Sequence, residues 1–168
     1  KDYGSKSVTI TNLMEAYDKA AEESPKSVLA EFAYSQEEID LCKKYGSNAD
    51  VVHTDLHECL GHGSGQLLPT TQPNALKEYN SALEEARADL FGLYYLPDAK
   101  MLELGLTPDS DAYKAEYYSF MMNGLMTQLV RIELGNNVEE AHMRNRQLIA
   151  KWAFEKGTSE NVVELVKK

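Results

Sequence analysis

A chain of 168 residues, 43% hydrophobic and 26% charged, has the composition of a globular domain able to bury a core of its own. Its formal net charge of −10 leaves no basic stripe to meet phosphates, which excludes nucleic acid and disfavours an anionic membrane surface as partners. The longest apolar stretch, Phe120 to Val130, is interrupted by Asn123, Thr127 and Gln128 and is too short to span a bilayer.

Nearly every segment reads as helix, so a mainly α fold is expected, with residues 1–168 forming a single helical domain. Thr11 to Glu23 is amphipathic and stops at Ser24-Pro25. Ser35-Gln36-Glu37-Glu38 is a capping box, and the helix it opens is expected to end at Lys44-Tyr45-Gly46. Ser47 or Asn48 would cap a further helix through Val51, Val52 and Leu56, broken by Gly63-Ser64-Gly65. Residues 66–74, with Pro69 and Pro73, form a loop.

A long helix from Ala75 or Ala82 to Leu96 halts at Pro97, and a short one follows to Gly105. Thr107-Pro108 opens another to about Leu134, Val138 to Lys156 is helical, and Ser159 to Lys168 reads as a last amphipathic helix without a cap. No alternating strand pattern runs beyond a few residues. The chain opens on Lys1-Asp2-Tyr3 without Met or an apolar leader, so a piece of a longer, cytoplasmic polypeptide is expected. Only Cys42 and Cys59 are present, giving no disulfide framework, and Cys59 is expected as a buried thiol.

The chemistry concentrates in His57-Glu58-Cys59-Leu60-Gly61-His62. Two histidines and a carboxylate from a later helix make a three-ligand zinc site with one position open to water. In the common H-E-x-x-H arrangement the histidines lie four apart; here the separation is five, which on a regular α-helix turns them about 140° from each other. A π-bulge would absorb the extra residue, and Gly61 is the position best able to tolerate a distorted backbone. His53 and His57 align without distortion, but Thr54 then stands where a general base belongs, whereas Glu58 follows His57 correctly; His53 is left as a partly exposed polar residue. Glu58 can reach a metal-activated water without itself coordinating.

The carboxylate comes from Glu84-Glu85-Ala86-Arg87-Ala88-Asp89. Glu84 also completes a capping box with Ser81, while Glu85 and Asp89 share one helix face, so spacing alone leaves both glutamates open as ligand with a slight preference for Glu85. Asp89 could accept the outer ring N–H of a ligating histidine, and Arg87 is placed as a salt-bridge partner.

The stretch from His57 to Leu67, the segment Glu84 to Asp89 and the later Ala141-His142-Met143-Arg144-Asn145-Arg146 closely resemble the dipeptidyl peptidase III family, the M49 metallopeptidases. That family carries H-E-x-x-G-H followed by E-E-x-R-A-E/D, and the match covers about positions 50–155. The resemblance implies an enzyme that removes dipeptides from the N-terminus of oligopeptides with one Zn2+ per chain. It implies His57, His62 and Glu85 as ligands, Glu58 as catalytic glutamate, and Glu84 and Asp89 as residues orienting the histidines. His142 would help stabilise the oxyanion and Arg146 would bind substrate.

Asp89 is one methylene shorter than the commoner Glu, and the short loop between the zinc motifs resembles that of bacterial members. Family enzymes are several times longer and two-lobed, so the resemblance implies that this chain is the helical catalytic core and that an N-terminal lobe of the same polypeptide supplies the other wall of the cleft. A zinc endopeptidase using the same residues, or a non-catalytic helical binding module in which His and Glu satisfy one another, are the competing readings.

Overall fold

The protein is described here by a computed structural model, in which residues 10–22, 28–72 and 74–167 are described. Its helices are α1 (Thr11–Glu22), α2 (Val28–Phe32), α3 (Gln36–Leu56), α4 (Asn80–Tyr95), α5 (Ala99–Glu103), α6 (Ala112–Leu125) and α7 (Ala141–Gly157). Among the described residues there is no strand, so the fold is mainly α. No described helix is long and apolar enough to cross a membrane.

The axis of the structure is α3. Ser35 caps it, its hydroxyl accepting from the Glu38 amide at 3.2 Å, while the Glu38 carboxylate accepts from the Tyr34 amide at 2.8 Å. The helix does not stop at Gly46, contrary to the expectation from the glycine; it runs unbroken for 21 residues, about 30 Å. Cys42, Tyr45, Ala49, Val52, His53 and Leu56 are its buried positions, spaced by threes and fours. Glycine inside a helix costs about 1 kcal/mol against alanine, less than burying one further large apolar side chain contributes, so the continuing stripe overrides it. Asn48 does not cap a new helix; its amide donates to the Leu106 carbonyl at 3.0 Å.

Two apolar clusters line this stripe. Ala49, Val52 and Leu56 pack with Leu96 and Met101, and Cys42 and Tyr45 pack with Ala112 and Ala115. Thus α3 is held by α4 and α6, while α7 lies against both of those helices.

The remaining boundaries depend on caps. A 3-10 turn, Lys77–Tyr79, precedes α4, and Ser81 sits inside the helix rather than capping it. The short α5 closes as expected near Gly105, which takes φ +71 while the Leu106 amide reaches back to the Met101 carbonyl at 2.9 Å. The helix expected from Thr107 to Leu134 is shorter: α6 opens at Ala112 and breaks at Met126 (φ −137, ψ −64) into a 3-10 turn, Thr127–Arg131. At that break the buried Gln128 amide donates to the carbonyls of Gly124 (3.4 Å) and Met143 (2.9 Å).

The expected last helix is absent from the described residues beyond a 3-10 turn, Thr158–Glu160. Asn161 takes the left-handed conformation, and the amides of Asn161 and Val162 bond to the carbonyls of Thr158 (3.4 Å) and Gly157 (3.0 Å). This pair of bonds is a Schellman closure, which stops the chain continuing as helix. Glu23, Ser24-Pro25, Pro73 and Lys168 lie outside the described residues.

Candidate metal centre

At its C-terminal end α3 passes directly into a π-helical turn, His57–His62. The Gly63 amide there reaches the Glu58 carbonyl five residues back. The wider turn takes up the extra residue of the motif and returns His62 to the side of His57, with ring centroids 4.7 Å apart and planes at 85°. Gly61 is needed for a different reason from the one its sequence position suggests. It does not take a positive φ; instead, a Cβ there would lie 2.6 Å from Ala88 Cα and 2.7 Å from Ala88 Cβ. The missing side chain lets the π turn lie directly on α4, beside Glu84, Glu85 and Asp89.

The structure brings His57, His62 and Glu85 together: one ligand-type atom from each falls within 4.8 Å of the others. Glu85 Oε2 stands 3.2 Å from His57 Nε2, 3.5 Å from His62 Nε2 and 3.2 Å from His142 Nε2. The outer nitrogens of these rings face carboxylates. His57 Nδ1 is 2.6 Å from Asp89 Oδ1, His62 Nδ1 is 3.1 Å from Glu84 Oε1, and His142 Nδ1 is 2.7 Å from Glu140 Oε1. An ionised carboxylate only accepts, so Asp89 and Glu84 favour the tautomers of His57 and His62 that carry the proton on Nδ1 and turn the Nε2 lone pair inward.

That arrangement decides whether the residues fit a metal. Glu85 Oε2 is enclosed and makes no hydrogen bond of acceptable geometry, although these ring nitrogens surround it. Nitrogen lone pairs converging on a carboxylate oxygen are mutually repulsive by themselves and are satisfied by a shared cation. Two imidazole nitrogens, one carboxylate oxygen and carboxylate-held outer nitrogens are a donor set suited to zinc. The residues fit.

The flanking electrostatics are built from α4. Arg87 grips Glu84 with two bonds, Nε to Oε2 at 3.0 Å and Nη2 to Oε1 at 2.6 Å. Those bonds and the contact with His62 outweigh partial burial and hold the Glu84 carboxyl at about 2. Glu84 therefore serves this pair of contacts and not a capping box on Ser81. Burial raises the Asp89 carboxyl, but the His57 hydrogen bond and electrostatic attraction to the surrounding His53, His57 and Arg146 side chains bring it below its usual range. Arg87 Nη1 also lies 3.4 Å from the Ser64 hydroxyl, tying the loop after the π turn to α4.

Glu58 is half-buried on the π turn beside His57. Cys59 is exposed, not buried as expected: a turn that presses Gly61 against α4 carries Cys59 on its outer side. His142 and Arg146 occupy consecutive turns of α7, whose N-terminus is capped by Glu140 through the amides of His142 (3.0 Å) and Met143 (2.8 Å).

His53 also departs from expectation, being buried and not partly exposed. Its Nδ1 lies 2.9 Å from Glu116 Oε1 and its Nε2 lies 3.4 Å from the Asp89 carbonyl. Glu116 and Glu140 were not singled out from sequence. A charge at position 116 between the apolar Ala115 and Phe120 was the available signal for the first.

The chain matches the family model of peptidase family M49 over residues 1–77 and 70–168. Among curated proteins, none matches it. With the family model extending over the histidine turn, the acidic α4 and the His142 helix alike, the chain belongs to peptidase family M49.

Proposed function

We propose that this metallopeptidase holds one zinc ion through His57, His62 and Glu85 and releases dipeptides from the N-terminus of oligopeptides. The observation that carries the reading is the convergence of His57 Nε2 and His62 Nε2 on Glu85 Oε2, with their outer nitrogens held by Asp89 and Glu84. When bound, zinc supplies the Lewis acidity that lowers the pKa of water toward ~7.

The chain's own residues do the rest. Glu58, next to the ligand His57, accepts the proton of the attacking water and returns it to the departing amine. His142, anchored at Nδ1 by Glu140, donates in its imidazolium form from Nε2 to the oxyanion that develops on the scissile carbonyl. Arg146, one turn further along α7, binds the peptide. Asp89 and Glu84 hold the two histidine rings in position.

Residues 1–168 are read as the helical catalytic unit, with the opposite wall of the substrate cleft supplied by an N-terminal lobe of the same polypeptide. One-sidedness of the cluster supports this: His57 and Asp89 are buried, while the His142 side chain is 52% exposed. The test is product analysis on an unmodified oligopeptide with the full-length protein. Successive dipeptides from the N-terminus are expected; internal fragments would favour the endopeptidase reading.

A further inference from the structure

The polar contacts behind His57 do not end at Asp89, whose carboxylate is within ion-pair distance of His53 and whose backbone carbonyl faces the same ring. Asp89 Oδ1 bonds His57 Nδ1 at 2.6 Å, and the same oxygen lies 3.7 Å from His53 Nε2, which also approaches the Asp89 carbonyl at 3.4 Å. On its other side His53 Nδ1 meets Glu116 Oε1 at 2.9 Å. All four side chains are buried, and they come from α3, α4 and α6 together with the π turn.

The His53 ring occupies a shaped socket. Phe120, one turn beyond Glu116 on α6, meets it edge-on with ring centroids 5.9 Å apart. On α4, Gly92 lies one turn beyond Asp89, and a Cβ there would overlap the His53 ring and come within 2.7 Å of its Nε2. The absence of a side chain at Gly92 thus leaves the space in which the His53 ring lies beside Asp89.

Stability does not account for such a pair. A buried ion pair is on average no better than an apolar pair of similar volume, because desolvating both charges offsets their attraction. Apolar residues border the pair: Phe120 meets the His53 ring, and Ala115 and Ala88, next to Glu116 and Asp89 in sequence, are buried.

We propose that His53 and Glu116 are positioning residues for the metal centre, fixing the Asp89 carboxylate so that it faces His57 Nδ1. Glu116 holds the His53 ring, the ring steers Asp89, and Asp89 aims His57 Nε2. The inference rests on the reading of His57 as a metal ligand. It adds a tier drawn from α6, a helix carrying none of the proposed ligands.

The experiment uses full-length protein and four variants: Glu116→Gln, the apolar pair His53→Phe with Glu116→Leu, Gly92→Ala, and His62→Ala as control. Zinc affinity is read by competition with a chelator, and ligand geometry by the visible bands of the cobalt-loaded protein. Removing partners directly bonded to ligands typically weakens metal binding 10–100-fold, so this outer tier is expected to weaken zinc by about 3- to 10-fold and to shift the cobalt bands. The apolar pair should keep or raise thermal stability while still losing affinity, which separates positioning from packing. Gly92→Ala should reproduce the band shift by displacing the ring. Unchanged bands and zinc affinity in both Glu116→Gln and the apolar pair would overturn the proposal, leaving the pair as packing. Absence of metal from the parent protein, indistinguishable from His62→Ala, would instead overturn the metal reading itself and this inference with it.

Discussion

Gly61 and Ala88 touch across the interface between the π turn and α4 so closely that a single added methyl would stand 2.6 Å from Ala88 Cα. This contact sets the distance between the histidines on one element and the carboxylates on the other.

Gly61→Ala is therefore expected to push α4 away, with backbone rather than a flexible side chain in the way. Overpacking of this kind destabilises by about 1–3 kcal/mol. Thermal unfolding of the apo protein should show that loss, and zinc affinity should fall with it. Undiminished stability and affinity together would mean that the interface is looser than described.

Glu58 lies on the turn between the two histidines but is not proposed as a ligand. Glu58→Ala should retain zinc while kcat falls by at least about 10²–10⁴, the usual contribution of a positioned general base. Substantial turnover in that variant would remove Glu58 from the mechanism.

The two adjacent glutamates differ in what they face. Glu85 Oε2 sits among ring nitrogens, whereas Glu84 is engaged by Arg87 and His62 Nδ1. Glu85→Ala should weaken zinc far more than Glu84→Ala, for which about 10- to 100-fold is expected. Calorimetric titration of both variants gives the ranking, and a reversed order would exchange their roles.

Burial pushes the His53 pKa down, but the Glu116 hydrogen bond and charge, with Asp89, raise it overall from its ordinary 6.5. A raised folded-state pKa contributes stability that is complete below the unfolded value and is lost as pH rises through the folded one. The apo protein should thus lose thermal stability above about pH 6.5, and Glu116→Gln should flatten that decline. Melting curves at pH 6 and pH 8 for the two proteins provide the check; parallel declines would deny the pair this part in the pH dependence.

Much of the helical order was legible because its signals are local. The box opened by Ser35, Pro97 after α4 and Gly105 after α5 act within a turn of the backbone they stop or start. The five-residue histidine spacing likewise pointed to a π turn, since a regular helix would separate the rings. Where local signals misled, a longer-range contact or a competing cap prevailed. Gly46 lies within a buried stripe that continues to Leu56, and Ser81 lies behind an uncapped 3-10 entry. The helix expected to end at Gly157 does end there, and the 3-10 turn after it is closed by Asn161 in the left-handed conformation. The pairing of His53 with Glu116 spans two helices distant in sequence, and no spacing rule within either helix could show it.

The most direct test of the account is metal content by elemental analysis after gel filtration, on the parent protein and on His62→Ala. One zinc per chain in the parent, lost in the variant, is the predicted result. No zinc in the parent after incubation with the metal, or equal zinc in both proteins, would contradict the proposed centre.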